Sequence, residues 1–169
     1  MVEGSYLDSV DFRERTDMTT IVLYDSAYGN TRTIAEEVAS HLGGAAAVPV
    51  DGFDAGALHP GDLLVVGSPI NGWRPTPKIS KVLDDLAGRG LAGVKAAAFD
   101  TRVKLFIHGD AAGKMIKALK SAGASIVGGP MAFYVKGSEG PLLSGEVERA
   151  AAWAADLEAA QAEPREPES

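Results

Sequence analysis

Short apolar runs alternate with stripes of helical spacing along most of this chain, and that alternation restricts the fold more than any other feature. Strand signals stand at 20–24, 45–50, 63–67, 94–99 and 125–135. The middle runs are apolar at consecutive positions, as parallel strands covered on both faces require. Between them, Ile34, Ala35, Val38, Ala39 and Leu42 fall on one face of a first helix, and Ile79, Val82, Leu83 and Leu86 on one face of a second. Met115, Ile116, Leu119 and Ala122 make a third stripe, and Val147, Ala150, Ala151, Ala154 and Leu157 a fourth. Gly43-Gly44, Gly88, Gly90 and Gly123 are placed to end helices. Short connections in this order imply a right-handed, doubly wound α/β sheet. Ligands of such sheets bind beyond the carboxyl ends of the strands, where the strand order reverses. Residues 26–31, 68–73 and 100–102 all follow strands and are expected to converge there.

The first of these segments, Ser26-Ala27-Tyr28-Gly29-Asn30-Thr31, follows Ile21-Val22-Leu23-Tyr24 and opens into the first helix. A helix start presents unpaired N–H groups and the positive end of the helix dipole. Those groups suit a phosphate, with Ser26, Asn30 and Thr31 adding side-chain donors. No lysine lies in the turn, so the donors are neutral and fit a bound monophosphate better than a triphosphate being cleaved. The same residues also suit an ordinary helix-capping turn. The second segment, Ser68-Pro69-Ile70-Asn71-Gly72-Trp73, is stiff and turn-rich, and glycine lets the Asn71-Gly72 peptide reorient at small cost. Trp73 must either stack on a ligand or fold back as a lid on the core.

Composition narrows the chemistry. At 169 residues, with 46% hydrophobic and 23% charged residues, the chain suits one globular domain. Without cysteine there is no disulfide, iron–sulfur ligation or thiol catalysis, so redox work would need an organic cofactor. His41, His59 and His108 lack zinc-type spacing, and no metal is expected. No apolar stretch is long enough to span a bilayer, which leaves no membrane partner and a cytoplasmic location as the expectation. The net charge of −7 is concentrated at the ends, with −3 over residues 1–17 and −2 over 161–169. The expected organisation is therefore a flexible acidic extension over 1–17, one domain over 18–161, and a disordered acidic tail over 162–169. No basic stripe appears, so no nucleic-acid partner is expected.

Tyr24-Asp25-Ser26-Ala27-Tyr28-Gly29-Asn30-Thr31 with Ile34-Ala35 resembles the phosphate loop and first helix of the flavodoxin-like FMN-binding family. Gly67-Ser68-Pro69 with Asn71-Gly72 and Pro75 resembles its second flavin loop, closest to the form in the flavodoxin domains of flavodiiron proteins. The resemblance covers about residues 19–160, in the short form. It implies a five-stranded parallel sheet of order 2-1-3-4-5 with helices on both faces, and FMN as cofactor. Ser26, Ala27, Tyr28, Gly29, Asn30 and Thr31 would then wrap the phosphate. Ser68, Pro69, Ile70, Asn71, Gly72 and Trp73 would line the isoalloxazine, the Asn71-Gly72 carbonyl accepting N5–H of the reduced flavin and Trp73 stacking on a ring face. Asp100, Thr101 and Arg102 would form the third contact, with backbone N–H groups of Thr101 and Arg102 at the pyrimidine edge.

Two departures from the family pattern stand out. Tyr28 occupies a position where a hydroxyl residue is common, and the third segment lacks the usual glycine and aromatic residue, leaving Phe106 as candidate for the second aromatic. The Arg102 guanidinium would favour anionic reduced flavin and raise its potential, or else pair with Asp100 at the surface.

Other motifs lead nowhere. Gly109-Asp110-Ala111-Ala112-Gly113-Lys114 is one residue short of a nucleotide P-loop, and Met115 stands where Mg²⁺ needs a hydroxyl; it reads as a helix entry. A phosphoacceptor receiver would need an acid where Ser68 stands. Lys114, Lys117 and Lys120 read as a solvated face, and residues 137–145 have no assignable function. The resemblance implies a one-domain electron carrier, monomeric or weakly dimeric, between an unidentified reductase and acceptor. The residues also admit a small flavoenzyme, quinone reductase-like or protoporphyrinogen oxidase-like, and a module of this fold that no longer binds FMN.

Overall fold

The computed structural model describes residues 18–104 and 109–162. The expected extension over 1–17, the candidate Phe106 and most of the expected tail lie outside the described residues. In chain order the elements are β1 (Thr20–Tyr24), α1 (Asn30–Ser40), β2 (Ala46–Pro49), β3 (Leu63–Pro69), α2 (Pro77–Arg89), β4 (Lys95–Val103), α3 (Ala111–Ser121), β5 (Ser125–Ile126), β6 (Met131–Val135) and α4 (Glu146–Ala162). Two 3-10 turns, Val50–Gly52 and Ala55–Ala57, join β2 to β3. Among the described residues no helix is long and apolar enough to cross a membrane.

The sheet is parallel and runs β2-β1-β3-β4, with its last position shared by two segments. Ser125–Ile126 pairs with the start of β4 at Lys95 and Ala96, and Met131–Val135 pairs with its end from Phe99 to Val103. The single strand expected over 125–135 is therefore interrupted. Its cause is Gly128-Gly129-Pro130, with Gly128 at φ 72 and a proline that has no N–H for the ladder. Spatially the order is the expected 2-1-3-4-5.

Alternation along the strands builds two cores. Ile21, Leu23, Leu64, Val66, Ala96 and Ala98 face α2 and α3, while Val22, Tyr24, Leu63, Val65, Ala97 and Phe99 face α1 and α4. This two-sided burial explains why the central strands read as unbroken apolar runs. Glycine ends α2 at Gly90, φ 86, and Gly123, φ 108, follows α3; Gly88 lies inside the last turn of α2 rather than at a stop. The α4 stripe contains a residue the periodicity left out. Trp153, 6% exposed, meets Phe99 and Phe133 edge to face, the three centroids 5.7–6.0 Å apart. Gly67 lies flat against the Phe99 ring, where a Cβ would overlap it. Also, α4 runs to Ala162, so helix continues into the first position of the expected tail.

Burial of this aromatic trio predicts that Trp153→Ala lowers unfolding free energy by about 3–5 kcal/mol, measured by chemical denaturation.

Candidate functional site

At the carboxyl edge of the sheet, segments following β1, β3, β4 and β6 meet around a cleft of about 530 Å³. The first segment contributes Ser26, Ala27, Tyr28, Asn30 and Thr31, and the second Pro69, Ile70, Asn71, Gly72 and Trp73. Thr101 and Arg102 come from the end of β4. Gly29, Ser68 and Asp100 do not line the cleft; they hold its walls from behind. Thr76, Val103, Gly109, Val135 and Ser138 line it without having been expected. Thr76 and Val103 flank expected segments and could have been found by extending them, whereas Ser138 lies far along the chain in a loop with no recognisable signal.

The first wall is a helix start prepared for an anion. Gly29 adopts φ 90 at the cap of α1, a left-handed conformation that suits glycine. Ser26 Oγ accepts N–H bonds from Gly29 at 3.1 Å and Arg32 at 3.3 Å, so its own proton is left to donate elsewhere. Among the described residues no acceptor meets the backbone N–H of Ala27, Tyr28, Asn30 or Thr31. Thr31, 1% exposed, shares a 2.8 Å hydroxyl bond with Thr101 Oγ1, which ties this wall to β4. Tyr28 is 60% exposed at the rim.

The second wall is a type I′ turn. Asn71 and Arg74 exchange backbone bonds at 2.7 and 3.2 Å, and the central residues Gly72 and Trp73 have φ 58 and 74. The turn is thus centred one residue later than Asn71-Gly72. The Asn71 carbonyl, expected to face flavin N5–H, accepts the Arg74 N–H. A left-handed backbone is strained for a tryptophan, by about 1–3 kcal/mol. Trp73 is 56% exposed, so it is not a core lid. Fully buried Ser68 staples the segment, its hydroxyl donating to the Pro69 carbonyl and accepting from Thr76 N–H. Gly109 packs on the Trp73 backbone so closely that a Cβ would overlap it.

The third wall differs most from expectation. Asp100, Thr101 and Arg102 are not a loop after the strand; they continue β4 in register with Ala132, Phe133 and Tyr134 of β6. The sequence pattern stops at Phe99 because the next residues are polar, but pairing continues because each polar side chain finds a partner. Asp100, with no exposure, accepts from Arg102 Nε at 2.8 Å, from Arg102 Nη2 at 2.6 Å and from the Ala112 N–H at 2.8 Å. Arg102 also reaches Asp110 at 3.3 Å, and its side chain is only 10% exposed. It is a buried, forked pair rather than a surface arginine. Hydrogen bonding to Asp100 raises the guanidinium pKa further, so its charge is fixed. Among the described residues this one cation stands between two carboxylates, which gives the three groups together a net negative charge. Asp110 also caps α3, accepting from Gly113 N–H at 2.9 Å, so 109–114 is the helix entry expected.

No curated protein matches the chain in sequence. An archaeal flavodoxin superposes with a TM-score of 0.73 at 17% identity, covering 85% of this chain and 99% of its own. Flavodoxin 1 from Bacillus cereus gives 0.71 at 20% identity, covering 82% and 96%. The Flv1 flavodiiron core of Synechocystis gives 0.68 at 18% identity, covering 94% of this chain but 39% of that one. These likenesses establish the fold. FMN, the cofactor expected here, is the one that flavodoxins bind. A sequence profile described as Flavodoxin matches residues 22–153, and the chain belongs to the flavodoxin family.

Proposed function

We propose that this protein binds FMN in the cleft and carries electrons between redox partner proteins. One observation supports this above the rest: the uncharged donors at the start of α1 and the exposed indole of Trp73 open into the same cleft. FMN supplies the redox chemistry when bound, and the protein supplies binding and electrostatics. In this reading Ser26, Asn30 and the free N–H groups of Ala27, Tyr28, Asn30 and Thr31 hold the phosphate through neutral donors. Trp73 offers its ring face to the isoalloxazine, and its strained backbone is retained for that placement. For the Asn71 carbonyl to meet N5–H, its peptide turns about Gly72 and releases Arg74. Arg102 lines the cleft, but Asp100 behind it and Asp110 beside it outweigh its charge, so this wall has a net negative charge that opposes added electron density on the cofactor. The redox partners, a monomeric or weakly dimeric state and a cytoplasmic location belong to the same reading.

Protein incubated with FMN and desalted is expected to be yellow, with the visible bands of bound flavin; material that stays colourless and shows no binding in a titration overturns the reading. Trp73→Gly should keep or raise thermal stability, because glycine accepts the left-handed turn, while FMN affinity falls roughly ten- to hundredfold with the lost stacking. Asp110→Asn preserves the helix cap and removes one of the two carboxylates on Arg102. It should therefore raise the midpoint potential of bound flavin in a spectroelectrochemical titration.

A further inference from the structure

After β6 the chain turns back sharply toward the start of α1. Lys136 N–H donates to the Pro141 carbonyl at 2.8 Å, Leu143 N–H to the Tyr134 carbonyl at 2.9 Å, and Gly140 N–H to the Gly137 carbonyl at 2.8 Å. Residues 137–140 thus form a tight turn at the tip of a short hairpin. This hairpin is fixed at its base. The Glu146 carboxylate accepts the Tyr134 N–H at 2.6 Å, and both its oxygens meet Arg149 Nη1, which also reaches the Ala132 carbonyl. At the tip, Gly140 has φ 101, and a Cβ there would stand 2.6 Å from Asn30 Oδ1. The turn therefore lies against the first residue of α1, and Ser138 lines the cleft beside it. Tyr28 supplies no aliphatic hydroxyl on this side.

From this placement we infer that the 137–140 turn is a fourth wall of the cofactor cleft, and that the Ser138 hydroxyl is a further donor to the phosphate monoester. The inference rests on the proposed FMN site and extends it to a segment remote in sequence from the other three walls. A hydroxyl on a fixed hairpin is held at little entropic cost, and a bond to a dianionic phosphate is stronger than one between neutral groups. The donor set stays uncharged.

Fluorescence titrations with FMN and with riboflavin, which lacks the phosphate, test the assignment. Ser138→Ala is expected to weaken FMN binding on the order of tenfold and leave riboflavin binding unchanged. Ser138→Thr, which keeps the hydroxyl, should restore most of the FMN affinity. Unchanged FMN affinity in Ser138→Ala, or equal losses for both flavins, overturns the assignment of Ser138 to the phosphate. Failure of the unmutated protein to bind either flavin overturns instead the reading of the cleft as an FMN site.

Discussion

Asp100 carries a carboxylate with no exposure to solvent, placed near the end of the strand that runs through the middle of the site. An isolated charge in such a position costs several kcal/mol. Here the forked Arg102 guanidinium and the Ala112 N–H at the start of α3 satisfy it, and the α3 dipole favours its sign. Meeting that one requirement fixes the rest of the wall. It sets where α3 begins, folds Arg102 down onto the strand, and lets β4 extend to Val103 through residues whose polarity would otherwise end it.

Neutral hydroxyls perform the corresponding work elsewhere in the cleft. Ser26 accepts two N–H groups at the start of α1, Ser68 spans the segment after β3, and Thr31 of α1 bonds Thr101 of β4. None of these bonds adds a charge to the mouth of the site. The two tryptophans divide along the same line: Trp153 is committed to the core with Phe99 and Phe133, while Trp73 is held out of it by a turn that most residues would avoid.

Much of the fold can be read from the chain because burial on both faces leaves a plain mark. The runs at 20–24 and 63–67 and the stripe Ile34, Ala35, Val38, Ala39 and Leu42 are all buried as the pattern requires. Two of the four walls carry local signals as well, in Ser26 to Thr31 and in Ser68 to Trp73. What escaped depends on contacts between distant residues. Asp100 and Thr101 look like the end of a strand until Arg102, Ala112 and Thr31 are seen around them. Trp153 sits between two alanines of a stripe, and its place becomes evident only beside Phe99 and Phe133. Ser138 lies in a glycine-rich stretch with no periodicity, and only the hairpin geometry brings it to the cleft.

The interruption at Gly128-Gly129-Pro130 bears on how the molecule behaves in a crowd. An exposed strand edge offers a row of unpaired amides on which another chain can template itself. On this side of the sheet that row is cut into pieces of two and five residues. The longer piece is partly occupied, since Glu146 takes the Tyr134 N–H and Leu143 meets the Tyr134 carbonyl. On the opposite side, β2 is four residues long and ends in Pro49. Both flanks of a strongly apolar sheet are thus blunted against edge-to-edge aggregation, and the same Glu146 contact that steadies the hairpin serves that protection.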